Sequence, residues 1–166
     1  MVLNLRNKHV ILDNNIIFDF GSLDDFDLLN KILADSFVVI SPNVKEEIKE
    51  NIDIEKLRYE LAVYTTAVDY ATHLRLRKTH RGLTDEDISC LVLAKKFDGI
   101  CASNDKLIRK VALQEGIGII GSIGLLECAI SQRILTSKKA KDILLKTIEN
   151  GAFIDQKLVN NFLGRR

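Results

Sequence analysis

Between Leu83 and Asp105 the chain spells one helix and one buried strand, with a carboxylate at each far end. Thr84 is a good N-cap, and Asp85, Glu86 and Asp87 fill the first turn, where the helix dipole favours negative charge. Ile88 to Phe97 carries the apolar load, Gly99 is a stop signal, and Ile100-Cys101-Ala102 is a short apolar run that breaks into Ser103-Asn104-Asp105. A helix returning beside a parallel strand runs antiparallel to it. Its N-terminus then lies at the sheet edge where the strand ends, so Asp87 and Asp105 are expected to be neighbours. At about 100° per residue, Cys90, Leu91, Leu93, Ala94 and Phe97 define one broad buried face. Asp87 and Glu86 flank that face, and Asp85 falls with Ser89 and Lys96 on the polar side as a solvated charge. Thr84-x-x-Asp87 also has the form of a capping box, which needs no chemistry. Asp87 therefore gains functional weight only if other acids converge on it.

Elsewhere the same grammar repeats. Val10-Ile11-Leu12 is a continuous apolar run ending at Asp13, after which Asn14 and Asn15 offer caps for a helix starting near Ile16. A turn at residues 21–25 leads into a helix through about Leu33, then a second buried strand, Phe37–Ile40. Ser41-Pro42 opens a helix in which Val44 and Ile48 face inward. Glu47 lies within about 60° of Val44 in projection, whereas Glu46 points away. Residues 53–78 are expected to form one or two helices, interrupted near Tyr64-Thr65-Thr66 and closing in the basic stretch from Arg75 to Arg81. A helix from Lys106 to about Glu115, a stop at Gly116, a strand at 117–120 and a helix through Ile134 follow, with two short helices on either side of Asn150-Gly151. Short continuous strands alternating with helices predict a three-layer α/β/α fold with a mostly parallel, four- to five-stranded sheet. Residues 1–166 are expected to be one domain, with helices in 137–166 packed as an extension. Sites in such sheets form outside the carboxyl ends of the strands, and Asp13, Glu47, Asp87 and Asp105 all fall there.

Four gathered carboxylates repel one another and are costly to bury without a cation. No Lys or Arg lies immediately beside these positions in sequence, although Lys106 could reach, so the natural neutraliser is a hard divalent ion, Mg²⁺ or Mn²⁺. Such an ion can hold a phosphate oxygen, acidify a bound water and steady a leaving oxygen, which points to phosphodiester hydrolysis without a covalent intermediate. The net charge of +1 gives no global attraction to nucleic acid or membrane, so any such partner must be met by a local patch. Arg75, Arg77, Lys78 and Arg81 are the candidates; the bland alternative is a solvated helix end. Three cysteines without metal-ligand spacing suit a reducing cytosol. No apolar run approaches the ~18 residues of a membrane span, and Asp13 comes too soon for a secretory signal. The expected setting is cytoplasmic, with no membrane partner. His73 and His80 are too far apart on one helix to be a ligand pair and read as surface residues.

The segments D-N-N at 13–15, P-N-V-K-E-E-I at 42–48, L-T-D-E-D-I-S-C-L-V-L-A at 83–94 and S-N-D at 103–105 resemble the four acidic motifs of the PIN domain. G-I-G-I-I-G-S-I-G-L-L at 116–126 is similar to a branch of small prokaryotic PIN proteins related to the VapC toxins. The resemblance implies a metal-dependent endoribonuclease in which Asp13, Glu47, Asp87 and Asp105 hold the ion or activate water, with Asn15 and Ser103 at polar helper positions. It implies RNA as substrate, and a homodimer or a cognate antitoxin as further partners. Asn14 is bulkier than the family's usual small residue, and the basic 55–81 insertion is longer than in minimal toxins. Two rivals remain: a non-catalytic RNA- or protein-binding PIN relative, and a phospho-receiver-like Mg²⁺-binding domain.

Overall fold

The computed structural model describes residues 2–165. Five strands, β1 (His9–Leu12), β2 (Phe37–Ile40), β3 (Glu60–Leu61), β4 (Ile100–Ala102) and β5 (Gly118–Ile120), form one sheet in the order β3-β2-β1-β4-β5. Every pairing is parallel, with Val10 opposite both Val38 and Ile100. Val10, Ile11 and Leu12 are wholly buried, as a central strand covered on both faces requires. Helices α1 (Asn14–Gly21), α2 (Phe26–Ile32), α3 (Pro42–Glu47), α4 (Ala67–Thr79), α5 (Asp85–Lys96), α6 (Lys106–Gln114) and α7 (Ser122–Ser131) flank the sheet in a three-layer α/β/α arrangement. Helices α8 (Ser137–Glu149) and α9 (Gln156–Gly164) build a second, smaller core on α7, centred on Leu126, Ala140, Leu144, Val159 and Phe162.

Several local expectations are corrected. Asp13 itself caps α1 by accepting from the Asn14 N–H, so Asn14 and Asn15 lie inside the first turn rather than before it. Residues 53–66 hold a single 3₁₀ turn at Ile54–Lys56 and the two-residue strand β3; only Ala67–Thr79 is a long helix. Both residues of β3 are exposed, and the apolar run Leu61-Ala62-Val63-Tyr64 overlaps it by one residue only. The stop after α5 is made at Asp98, which adopts φ 46°, while Gly99 is required because a Cβ there would sit 2.6 Å from the His9 carbonyl oxygen.

Helix α5 has no polar face in the expected sense. Every residue from Ile88 to Ala94 is buried, because α4 packs along the side that the helical projection assigns to solvent. Ser89 is 2% exposed and shares a 2.7 Å hydrogen bond with the Ser41 hydroxyl. Asp85 stays partly open to solvent but is paired, since the Arg77 guanidinium donates to both its oxygens at 2.7 and 3.0 Å. No helix among the described residues is long and apolar enough to cross a membrane. Cys90, Cys101 and Cys128 are free and buried.

Candidate functional site

From β1 the chain passes outward to β2 and β3, then crosses back to lay β4 on the other side of β1. The strand order thus reverses between β1 and β4, and the carboxyl ends of strands flanking such a reversal open a crevice. Asp13 leaves β1 at that point and Ser103 leaves β4 beside it. The Asp13 N–H donates to the Ala102 carbonyl at 3.0 Å, which carries the β1–β4 pairing to the lip of the crevice.

Asp13 is only 5% exposed. Its Oδ1 accepts from the Asn14 N–H at 2.7 Å; its Oδ2 accepts from Ser103 Oγ at 2.6 Å and Asn15 Nδ2 at 2.5 Å. Burial dominates these hydrogen bonds and, with repulsion from Asp87 and Asp105, pushes its carboxyl up to about 6. Ser103 is the joint between the two strands: its hydroxyl donates to Asp13 while accepting from Asn15 Nδ2 and from the Asp105 N–H, both at 3.1 Å.

Asp105 caps α6, with Oδ1 accepting from the Leu107 and Ile108 N–H groups at 2.8 and 2.9 Å. Asp87 does form the capping box, Oδ2 accepting from the Thr84 N–H at 2.8 Å, while Oδ1 accepts no hydrogen bond among the described residues. Desolvation raises the Asp87 carboxyl above its ordinary value, and the Asp105 and Glu86 charges raise it further. Glu47, the last residue of α3, is exposed. Desolvation followed by repulsion from Glu86 and Asp87 raises it too. The four acids therefore feel one another electrostatically as a chain, Glu47 through Asp87 to Asp13 and Asp105. No ion pair among the described residues neutralises any of the four. Lys106, the cation in sequence reach, turns away to Asp155 at 2.9 Å.

The donor set is all oxygen and has no ion-pair partner among the described residues, and so fits a hard divalent cation in kind. Among the described residues, no three His, Cys, Asp or Glu side chains are drawn together tightly enough to hold one ion. Gathering the acids around a cation takes side-chain rotation, for which exposed Glu47 and the free Asp87 Oδ1 have room.

Two groups at this edge escaped the sequence reading. Glu86 joins the acid chain through Glu47 and Asp87. Asp19, 2% exposed, accepts from Ser122 Oγ at 2.6 Å and Asn104 Nδ2 at 2.7 Å. The Asn104 N–H in turn donates to Asn15 Oδ1 at 2.9 Å, so Asp19 braces the loop that carries Ser103 and Asp105. Burial pushes Asp19 up to about 6. Its signal was present: an acid one helical turn beyond Asn15, inside the apolar run I-I-F-D-F.

In the basic stretch two of the four cations are already paired. Arg75 grips Glu115 bidentately at 2.8 and 2.7 Å, and Arg77 is engaged with Asp85. Lys78 and Arg81 are exposed and form no ion pair among the described residues. His73 is no surface histidine. Its Nδ1 lies 2.9 Å from the Tyr64 hydroxyl and its Nε2 lies 3.3 Å from Asp85 Oδ1.

A parallel α/β sheet with an acidic crevice at its topological switch defines a class of fold built to handle charged ligands at one edge. A family model described as PIN domain matches residues 9–166, and the chain belongs to that family. The match takes in all five strands, the four acids and the C-terminal helices, and it supports a nuclease-type fold. No curated protein matches the chain.

Proposed function

We propose that this protein is a cytoplasmic, Mg²⁺- or Mn²⁺-dependent endoribonuclease acting through Asp13, Glu47, Asp87 and Asp105. The observation that carries the reading is the mutual repulsion of Asp13, Asp87 and Asp105, brought from three elements to one crevice without a neutralising side chain. A protein gains nothing in stability from such an arrangement; holding a cation is what makes it useful. A divalent ion held there supplies charge neutralisation at a phosphate oxygen and a more acidic water. Asp13 would hold it, its orientation set by Ser103, Asn15 and the Asn14 N–H. Asp105 and Asp87 would offer the oxygens left outside their capping hydrogen bonds. Glu47, at the solvent face with a raised proton affinity, would be the group to accept a proton from the attacking water. Lys78 and Arg81 supply nearby positive charge for the RNA backbone.

The test is to incubate purified protein with mixed RNAs and Mn²⁺ beside Asp105→Asn prepared identically. Cleavage by the wild type that is lost in the variant and on chelation is expected. Equal cleavage in both exposes a contaminating nuclease, and no cleavage in either, with RNA still bound, returns the protein to the non-catalytic binding relatives.

A further inference from the structure

A cavity opens where β2 ends, walled by the starts of α3 and α5 and by α4. It has a volume of about 400 Å³, within the range of small-ligand sites. Its rim is Ser41, Pro42 and Asn43, where β2 ends and α3 begins, and its flank is Tyr64 and Tyr70. Tyr64 is pinned. Its hydroxyl donates to His73 Nδ1 in the tautomer whose Nε2–H faces Asp85, and its ring meets Tyr70 edge-on at 5.4 Å and 85°. Tyr70 is held at its edge by that contact and remains 57% exposed, an aromatic surface without a covering partner.

Charge decides what chemistry suits this cavity. Its carboxylate, Asp85, is already bonded by Arg77, and no Lys or Arg lines the space. A phosphate group would find no free cation there, whereas an uncharged planar ring finds an aromatic face and, in exposed Asn43, an amide that both donates and accepts. A partner's β-strand is poorly served, because the edge strand β3 offers only two residues to pair with. The cavity also shares walls with the acid crevice. Along α3, Asn43 lines the cavity and Glu47 faces the acids about 6 Å further on at 1.5 Å per residue. Along α5, Asp85 and Ser89 line the cavity while Asp87, between them in sequence, faces the crevice.

We propose that this cavity is a nucleobase subsite, in which Tyr70 stacks on one base of a single-stranded RNA whose phosphodiester lies at the acids. The proposal rests on the ribonuclease reading for its substrate but not for its test. Sequence-tolerant stacking on an aromatic ring is the usual way a single strand is held, and it suits a chain with little net positive charge.

The chain contains no tryptophan, so Tyr70→Trp installs a unique fluorescent reporter. With Ca²⁺ in place of Mn²⁺, a short oligoribonucleotide should quench it saturably, and a strand of the same length made of abasic sites should not. In cleavage assays Tyr70→Ala should raise KM roughly ten- to hundredfold with kcat little changed, and Tyr70→Phe should restore KM, because the ring and not the hydroxyl does the binding. An unquenched reporter, or an unaltered KM in Tyr70→Ala while the wild type cleaves, overturns the subsite and leaves the nuclease standing. Quenching by RNA without cleavage by any preparation supports the cavity and removes the nuclease. Quenching that depends on protein concentration alone shows a second copy covering Tyr70 and overturns the proposal.

Discussion

At Asp87 a structural duty and the proposed chemical one share a single carboxylate. One oxygen closes the capping box of α5 and the other is left toward Asp105, Asp13 and Glu86. The capping half was legible from Thr84-x-x-Asp87; the other half was legible only from where β4 must end. Asp85, two residues earlier, is turned about 200° around the helix and is held by Arg77. Asp87→Asn should therefore abolish metal-dependent cleavage while keeping most of the cap, and Asp85→Asn should retain most of the cleavage. Initial rates on one RNA at fixed Mn²⁺ decide the matter, and an inactive Asp85→Asn with full activity in Asp87→Asn reverses the assignment. Asp19 marks the limit of the residue-scale reading, since nothing in one sequence says that an acid in an apolar helix will meet Asn104 and Ser122 across the crevice.

Among the elements, those with strong local signals appear where the sequence puts them. β2 is Phe37–Ile40, and α5 begins after Thr84 and ends beside Asp98-Gly99. The failures have a common cause. β3 is two exposed residues long, too short for a local signal of its own, and it is defined by pairing with Val39 and Ile40. The polar flank of α5 was assigned to solvent because the helical projection does not know that α4 will lie on it. The loop from β4 to α6 is the element on which the site depends most, and its brace is Asp19 through Asn104. Asp19→Ala removes the acceptor of the buried Ser122 hydroxyl and of half-buried Asn104 Nδ2, which costs on the order of 1–3 kcal/mol. It should also weaken the apparent affinity for Mn²⁺ by loosening Ser103 and Asp105. Asp19→Asn, which still offers an oxygen acceptor, should restore metal affinity. Metal titrations of cleavage read both, and equal affinity in all three proteins removes the brace.

For the whole molecule, the same buried acids set how stability responds to pH. Asp13 and Asp19 each have a folded value of about 6 against an ordinary 3.8. Between those values the folded chain binds more protons than the unfolded one, so stability is highest at the acid end and falls as pH rises from about 4 to 6. Each group accounts for on the order of 3 kcal/mol of that loss. Metal-free protein should therefore melt lower at pH 7 than at pH 5, and Asp13→Asn should flatten the difference and raise the melting temperature at pH 7. Mn²⁺ should stabilise the wild type at pH 7 and not Asp13→Asn. Melting curves at the two pH values with and without the ion suffice, and an identical response in both proteins places the ion elsewhere.

The crossing of the chain from β3 back to β4 has a further consequence, in time rather than in space. β1 finds its second neighbour only at Ile100–Ala102, and the Ser103 hydroxyl that orients Asp13 lies 90 residues downstream of it. A polypeptide emerging from the ribosome carries Asp13 and Glu47 long before it carries the partners that organise them, and non-local parallel pairing forms slowly. The crevice comes into being only when most of the chain has been made. A nascent or clipped chain that stops short of β4 has Asp13, Glu47 and Asp87 but lacks the crevice that gathers them, so on the ribonuclease reading proposed above it is expected to cleave no RNA until β4 is in place.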